Sequence, residues 1–178
     1  SEIMEKGIKL GVKIINDVSG LDYDPKTFKI LKKFKIPFVI QHTKGTPENM
    51  QNNPNYKNEL LDIYDYFEQK IKYLRSLGIK HNHIIIDPGI GFGKNLKHNM
   101  NLISNISIFH SLGFPVLVGN SRKRFIKELS EKNDTKNRTG GTTASSIFLM
   151  MQGVQILRIH EVNEILQGIK VFKKLFNN

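Results

Sequence analysis

The sequence predicts an α/β protein built on a parallel sheet, and three observations lead to that prediction. Short apolar runs alternate with longer segments whose apolar residues recur at helical spacing. The short runs are apolar on both faces, as in strands that are covered by helices on either side. Polar residues suited to chemistry follow directly after these runs, where parallel sheets bind their ligands.

The predicted elements follow one another without a break along a single domain, residues 1–178. The predicted strands span residues 13–18, 37–42, 83–87, 116–119 and 154–159. The predicted helices span residues 2–12, 25–35, 59–77, 97–112, 140–152 and 162–175. Residues 46–58 and 129–139 are polar and are predicted to be loops. This alternation indicates five βα units.

Composition narrows the class of protein. The chain has 178 residues, of which 39% are hydrophobic and 24% are charged, the balance of a globular domain with one core. No stretch approaches the roughly 18 apolar residues of a membrane span, and no signal segment opens the chain. Cysteine is absent, which excludes disulfides, thiolate metal sites and a cysteine nucleophile. We therefore expect a cytoplasmic protein with no membrane partner.

The net charge is +11, yet only five of the 27 basic residues are arginines. The lysines are spread along the predicted helices and are not interleaved with aromatic residues, as they would be on many nucleic-acid-binding surfaces. We therefore expect no nucleic-acid partner. A basic surface instead favours the approach of an anionic small substrate.

A glycine-rich turn, DPGIGFGKN at residues 87–95, follows the third predicted strand. It matches neither the GxxxxGK[ST] phosphate loop nor the GxGxxG dinucleotide motif. Its alternating glycines, with Gly91 at the centre, either let the backbone approach a flat ligand closely or simply form a tight turn. The carboxylate of Asp87 can accept two N–H groups from a guanidine-like heterocycle edge, or it can cap the turn. Both interpretations of Asp87 remain open.

Two further motifs bring cations to strand ends. GNSRKRF at residues 119–125 suits an anion or a heterocycle carbonyl, but it also suits a solvated basic turn. RIHEV at residues 158–162 places Arg158 and His160 on one face of a strand tip, so both can meet one phosphate group. Four other histidines are interpreted as surface or packing residues, namely His81, His83, His98 and His110.

These motifs, together with INDVSG at residues 15–20 and in this order, resemble dihydropteroate synthases over essentially the whole chain. The resemblance implies a (β/α)8 TIM barrel. It also implies a transferase of folate biosynthesis, the target of sulfonamides, which joins 6-hydroxymethyl-7,8-dihydropterin diphosphate to p-aminobenzoate and releases pyrophosphate. By this resemblance Asn16 and Asp87 hydrogen-bond the pterin ring, and Lys123 contacts the pterin carbonyl and borders the p-aminobenzoate site.

The resemblance also assigns roles to the remaining motif residues. It implies that Arg158 stacks on the pterin and binds the diphosphate together with His160. Phe92 would line the p-aminobenzoate pocket, and Ser121 would lie near its carboxylate. Lys123, Arg158 and His160 are thereby the expected catalytic residues. Mg²⁺ is expected on the diphosphate, with no metal ligand in this portion of the barrel.

A barrel of this kind has eight strands and about 250 residues, whereas this chain matches strands four to eight. The first three βα units are therefore expected to be missing, together with the Asn that meets Mg²⁺ in the family and another pterin-binding Asp. Five strands cannot close a barrel, so residues 1–178 alone are expected to be neither a stable monomer nor active. When complete, the protein is expected to form a homodimer.

Two alternative functions are also considered. One is a pterin-binding methyltransferase, a related barrel that also places Asn and Asp at strand ends. Its corrinoid chemistry does not call for the SRK sequence or for the pair formed by Arg158 and His160. The other alternative is an inactive barrel fragment that binds pterin weakly or only associates with other copies.

Overall fold

A computed structural model describes residues 1–45, 54–130 and 134–176 of the protein. The strands in these ranges are β1 (Ile15–Asp17), β2 (Phe38–Gln41), β3 (Ile84–Asp87), β4 (Leu117–Val118) and β5 (Ile156–Leu157). The helices are α1 (Glu2–Lys9), α2 (Lys26–Phe34), α3 (Glu59–Ser76), α4 (Leu96–Ser104), α5 (Arg124–Ser130), α6 (Thr139–Met151) and α7 (Val162–Phe176). None of the helices in these ranges is both long and apolar enough to cross a membrane.

The strands pair in parallel and in chain order. β1, β2 and β3 form one group, with Asn16 opposite Val39 and Val39 opposite Ile85. β4 and β5 form a second parallel pair. A parallel bridge between Ile86 and Val116 joins the two groups into one wall. The predicted α/β class with a parallel sheet is therefore confirmed.

The two faces of this wall carry separate apolar clusters, because successive side chains of a strand point to opposite sides. On the outer face the strands pack against the helices in a large core that includes Ile86 and Phe67. The inner face carries a smaller cluster, which consists of Val39, Ile85, Leu117 and the half-buried Ile156. The residues two positions after each member of this cluster also face inward. They are polar or glycine, namely Gln41, Asp87, Gly119 and Arg158.

Side-chain caps fix where two helices begin. The side chain of Asn58 accepts hydrogen bonds from the amides of Leu60 and Leu61, at 3.1 and 3.2 Å, and starts α3. The side chain of Asn95 accepts from the His98 amide at 2.9 Å, and the His98 ring accepts from the Asn95 amide at 3.4 Å. This capping box fixes the end of the glycine-rich turn at the start of α4.

The prediction of one helix over residues 97–112 is wrong. α4 ends at Ser104, and residues 106–112 form a separate 3-10 helix. Asn105 between them leaves helical geometry, with φ −125° and ψ 26°, and its side-chain amide donates to the Asn101 carbonyl at 2.9 Å. Asparagine side chains compete with helical hydrogen bonds in this way, so the helix stops before its apolar pattern does.

The predicted loops and helix ends also differ in detail. The loop predicted over residues 129–139 contains the end of α5 and a 3-10 turn at Thr135–Arg138, while residues 131–133 lie outside the described ranges. Residues 46–53 of the other predicted loop also lie outside those ranges. The helix predicted over 2–12 ends at Lys9, just before Gly11 with φ 98°, a left-handed conformation that stops helices. Each observed strand is shorter than its prediction.

Candidate functional site

Five of the predicted site residues line one cleft at the carboxyl edge of the wall. The cleft lies between the glycine-rich turn after β3 and the ends of β4 and β5, and its volume is about 440 Å³. Its lining consists of Phe92, Gly119, Ser121, Arg122, Lys123, Thr135, Arg158 and His160. Parallel pairing brings the ends of successive strands to the same edge, so motifs far apart in sequence meet here.

Asp87 ends β3 beside this cleft and is only 2% exposed. Its Oδ1 accepts a hydrogen bond from the Gly89 amide at 2.8 Å, so Asp87 does cap the turn. Burial raises the pKa of Asp87 to about 6, and the positive charges of Lys123 and Arg158 oppose this rise. A buried carboxylate that is ionised at neutral pH beside two cations also suits the binding of N–H donors.

Lys123 lies across the glycine-rich turn. Its Nζ is 3.9 Å from the ring centroid of Phe92, a cation–π distance. Gly91, with φ 81°, leaves room for this side chain, since a Cβ there would lie 3.0 Å from Cδ of Lys123. Burial lowers the pKa of Lys123 to about 8, although the charge of Asp87 opposes the decrease. The ammonium group is therefore charged at neutral pH, lies over an aromatic ring and is stabilised by the charge of a carboxylate.

Arg158 is exposed and crosses the end of β4 at Gly119. A Cβ at position 119 would lie 2.8 Å from Nη2 of Arg158, so only glycine leaves this path open without displacement. The Arg158 amide donates to the Val118 carbonyl at 3.0 Å, which continues the pairing of β4 with β5. Gly119 thus gives the guanidinium access to the inner face, where its charge acts on Asp87.

His160 is held by Ser121. The hydroxyl oxygen of Ser121 accepts from the His160 amide at 3.2 Å and lies 2.9 Å from Nδ1 of the same residue. If the hydroxyl donates to Nδ1, the ring proton resides on Nε2. Ser121 follows β4 and His160 follows β5, so this contact connects the segment of residues 121–123 to the end of β5.

The three cations of residues 121–124, the SRKR sequence, have different surroundings. Arg122, with φ 58°, forms an ion pair with Glu161, and its carbonyl accepts from Nη1 of Arg138 at 2.7 Å. Arg124 is 67% exposed and pairs with Glu128 within α5 at 2.6 Å. Lys123 lies against Phe92 and Gly91 of the glycine-rich turn. Arg122 and Arg124 are thus both paired with glutamates, whereas Lys123 is the cation of this segment that faces the Phe92 ring.

A buried pair that sequence reasoning missed, His42 and Lys94, lies beneath the turn. Nζ of Lys94 is 3.0 Å from Nδ1 of His42 and donates to the Phe92 carbonyl at 2.9 Å. Burial lowers the pKa of Lys94 to about 7 and that of His42 to about 3, so the imidazole is neutral and accepts at Nδ1. Lys94 directly follows the last glycine of the turn, but only the fold shows that it points inward.

The remaining predicted residues lie outside the cleft. Asn16 is exposed in β1, on the same face of the wall as Val39, but it is not part of the cleft lining. Three of the histidines interpreted as packing residues have such contacts. His81 stacks on Phe114 with centroids 4.1 Å apart, His98 caps α4, and His110 Nε2 lies 2.8 Å from the Gln152 carbonyl.

The donor set of this site does not fit a metal ion held by the protein. Across the ranges that the structure describes, no three His, Asp or Glu side chains cluster as metal ligands would. The cleft is lined by cations, and the neighbouring Asp87 already accepts a backbone hydrogen bond. Hard cations such as Mg²⁺ require oxygen ligands, which these cationic side chains do not supply.

A family model described as pterin binding enzyme matches residues 1–160 of the chain. The match includes all the residues that line the cleft. The chain belongs to the pterin-binding enzyme family. Its five βα units form part of the (β/α)8 TIM barrel of this family, as the resemblance implies.

Relatives within this family are dihydropteroate synthases, which confirms the resemblance inferred from the motifs. The Synechocystis enzyme is 32% identical over 99% of this chain. The Yersinia pestis enzyme, solved with a sulfonamide drug, is 32% identical over 99% of this chain and 64% of its own, with a TM-score of 0.94. The Thermus thermophilus enzyme in complex with 6HMPPP is 34% identical over 98% of this chain and 69% of its own, with a TM-score of 0.91. The chain spans about 60% of the length of the curated relatives it matches.

Proposed function

We propose that this chain supplies the pterin and diphosphate sites of a dihydropteroate synthase, which joins 6-hydroxymethyl-7,8-dihydropterin diphosphate to p-aminobenzoate. The observation that carries the proposal is the meeting of a buried carboxylate, a half-buried ammonium and an exposed guanidinium at one cleft, in a chain of this family. Solved complexes of the Thermus thermophilus enzyme with 6HMPPP and with 4-aminobenzoate support these two substrate classes.

Recognition of the pterin would begin at Asp87. Its ionised carboxylate accepts hydrogen bonds from the amino and ring N–H groups of the heterocycle, while the ammonium of Lys123 approaches the ring carbonyl. Asn16, on the same face of the wall, would contact the pterin from β1. Phe92 would form one side of the p-aminobenzoate pocket, with Ser121 toward its carboxylate. Sulfonamides would occupy this same pocket.

Bond cleavage would be assisted by Arg158 and His160. In the reaction the C–O bond between the pterin methylene and the diphosphate breaks, and pyrophosphate leaves with the electron pair. The amine of p-aminobenzoate forms the new C–N bond and loses a proton. A guanidinium and an imidazole N–H that are already in place stabilise the charge that develops on the departing pyrophosphate. In this proposal Mg²⁺ is bound through the diphosphate oxygens, and the resemblance implies that its protein ligand comes from βα units that this chain does not contain.

The proposal extends to the whole protein that contains this chain. It would be a homodimer of folate biosynthesis with small-molecule substrates, as the family resemblance implies. Its proposed cytoplasmic location and lack of a nucleic-acid partner rest on the composition and on the spread of its lysines.

Asp87→Asn tests the pterin site directly. The substitution keeps the shape of the side chain but turns one acceptor oxygen into a donor that faces the N–H groups of the pterin. Such a mismatch costs about 1–3 kcal/mol, so the affinity for 6-hydroxymethylpterin, measured by calorimetry, should fall by about tenfold or more. Asp22→Asn is the matched control, because Asp22 is 67% exposed and pairs with Lys70. Unchanged affinity in Asp87→Asn would reduce Asp87 to a turn residue and contradict the proposal.

A further inference from the structure

Gln41, the last residue of β2, carries a buried acceptor with no donor. The residue is 1% exposed, and among the described residues no hydrogen-bond donor reaches its Oε1. Burying an unpaired carbonyl oxygen is unfavourable, and such atoms are rare in native proteins. A ligand that donates a hydrogen bond to Oε1 would remove this cost.

The orientation of the Gln41 amide is fixed by a short chain of hydrogen bonds. The Thr43 hydroxyl donates its single proton to the Val18 carbonyl at 3.0 Å. The hydroxyl oxygen can then only accept a hydrogen bond from Gln41, whose side-chain nitrogen lies 3.2 Å away. A flipped amide would place two acceptors against each other, so the amide nitrogen faces Thr43 and Oε1 points elsewhere.

Gln41 stands beside Asp87 on the inner face of the wall. The two residues are paired in register across β2 and β3. Val39 and Ile85, two positions earlier in the same strands, both belong to the inner apolar cluster. Because side chains two positions apart share a face, Gln41 and Asp87 also face inward. Two buried acceptors, one neutral and one anionic, therefore lie next to each other.

We propose that Oε1 of Gln41 accepts a hydrogen bond from an N–H group of the heterocycle bound against Asp87, which makes Gln41 a second recognition residue for that ligand. This inference rests on the proposed function, because it deepens the description of the same pterin site. The ligand class is a planar, fused heterocycle with more than one N–H donor along one edge. A site with two buried acceptors rejects analogues that lack one of these donors, since an acceptor would then stay unpaired.

The first test replaces Gln41 with Met in the protein that contains this chain. Met is similar in length and lacks the acceptor, so the affinity for 6-hydroxymethylpterin should fall about tenfold by calorimetry. The Tm without ligand should not fall, because the unpaired acceptor is also lost. A residue that only supports the fold would show the reverse pattern. Unchanged affinity, with or without a lower Tm, would overturn the proposal.

A second pair of variants tests the orientation of the amide without altering Gln41. Thr43→Val removes the acceptor that fixes the amide nitrogen, and pterin affinity should fall about threefold. Thr43→Ser keeps the hydroxyl and should bind as the parent does. Equal affinities for the Val and Ser variants would overturn the proposal even if the Gln41 variant failed to fold.

The same titrations separate this inference from the proposed function. If the parent protein does not bind the pterin, both are overturned. If the parent binds, Asp87→Asn weakens binding and Gln41→Met does not, the pterin site stands and the role of Gln41 is overturned. If both variants weaken binding and Gln41→Met keeps its Tm, the inference is supported.

Discussion

The buried ammonium of Lys94 makes a specific prediction about the pH dependence of stability. Burial lowers the pKa of Lys94 from 10.5 to about 7 in the folded protein. Between these values the unfolded chain binds a proton that the folded protein does not, so the free energy of unfolding rises with pH. Below pH 7 the cost of burying the charge is fully present. One proton corresponds to about 1.4 kcal/mol per pH unit, or about 5 kcal/mol at most over the whole window.

Lys94→Met removes this titration and leaves an unbranched apolar side chain of similar size. It also removes the hydrogen bonds to His42 and to the Phe92 carbonyl, each worth about 1–3 kcal/mol when a buried partner is left unpaired. The two effects oppose each other at pH 7, where we expect stabilities within about 2 kcal/mol of each other. Near pH 10 the parent has lost most of its penalty, so the variant should be the less stable by about 2–4 kcal/mol.

The measurement is urea unfolding of the complete protein that contains this chain, followed by circular dichroism at five pH values between 6 and 10. Gln152→Met is the matched control, because it removes a hydrogen bond to the Ile103 carbonyl at 2.7 Å without removing a charge. The free energy of unfolding of this control should be lower than that of the parent by the same amount at every pH. If the free energy of unfolding of Lys94→Met changed with pH in parallel with that of the parent, Lys94 would not be the buried, titrating group described above.

Two further predictions concern the cleft. Affinity for 6-hydroxymethylpterin should rise as pH increases through about 6, where Asp87 ionises, and fall through about 8, where Lys123 loses its proton. In Lys123→Arg the alkaline decrease should disappear, and a flat pH profile for the parent would contradict both assignments. Gly119→Ala should displace the guanidinium of Arg158 and lower kcat/KM about tenfold, because the added Cβ would lie 2.8 Å from it. Little change in Tm is expected, and parental kcat/KM in this variant would show that the path over position 119 does not matter.

The order of the elements and the edge that holds the site could be predicted from the sequence. Strand and helix differ in their apolar period, and this signal lies within short windows of the chain. The positions of Asp87 and Lys123 followed from the same pattern, because residues after parallel strands collect at one edge. The end of α4 was less predictable, since the local competition of Asn105 overrides an apolar pattern that continues beyond it.

Contacts between distant residues could not be predicted in the same way. Lys94 and His42 are separated by 52 positions, and nothing near either residue indicates that they meet in the interior. The unpaired oxygen of Gln41 depends on strand register and on the hydroxyl of Thr43, both of which are properties of the fold. Gly119 looks like an ordinary turn glycine until the path of the arginine above it is known.

Turnover by an Arg158 variant tests the central claim most directly. Pyrophosphate release and dihydropteroate formation should be measured with 6-hydroxymethyl-7,8-dihydropterin diphosphate and p-aminobenzoate, in the complete protein that contains this chain. Arg158→Ala should lower kcat/KM by a factor that corresponds to about 2–4 kcal/mol of transition-state stabilisation. Arg124→Ala, which removes an exposed guanidinium paired within α5, should stay within about threefold of the parent. We predict that the parent forms product and that, of the two variants, only Arg158→Ala forms it more slowly. No product from the parent, or equal rates in both variants, would contradict the account.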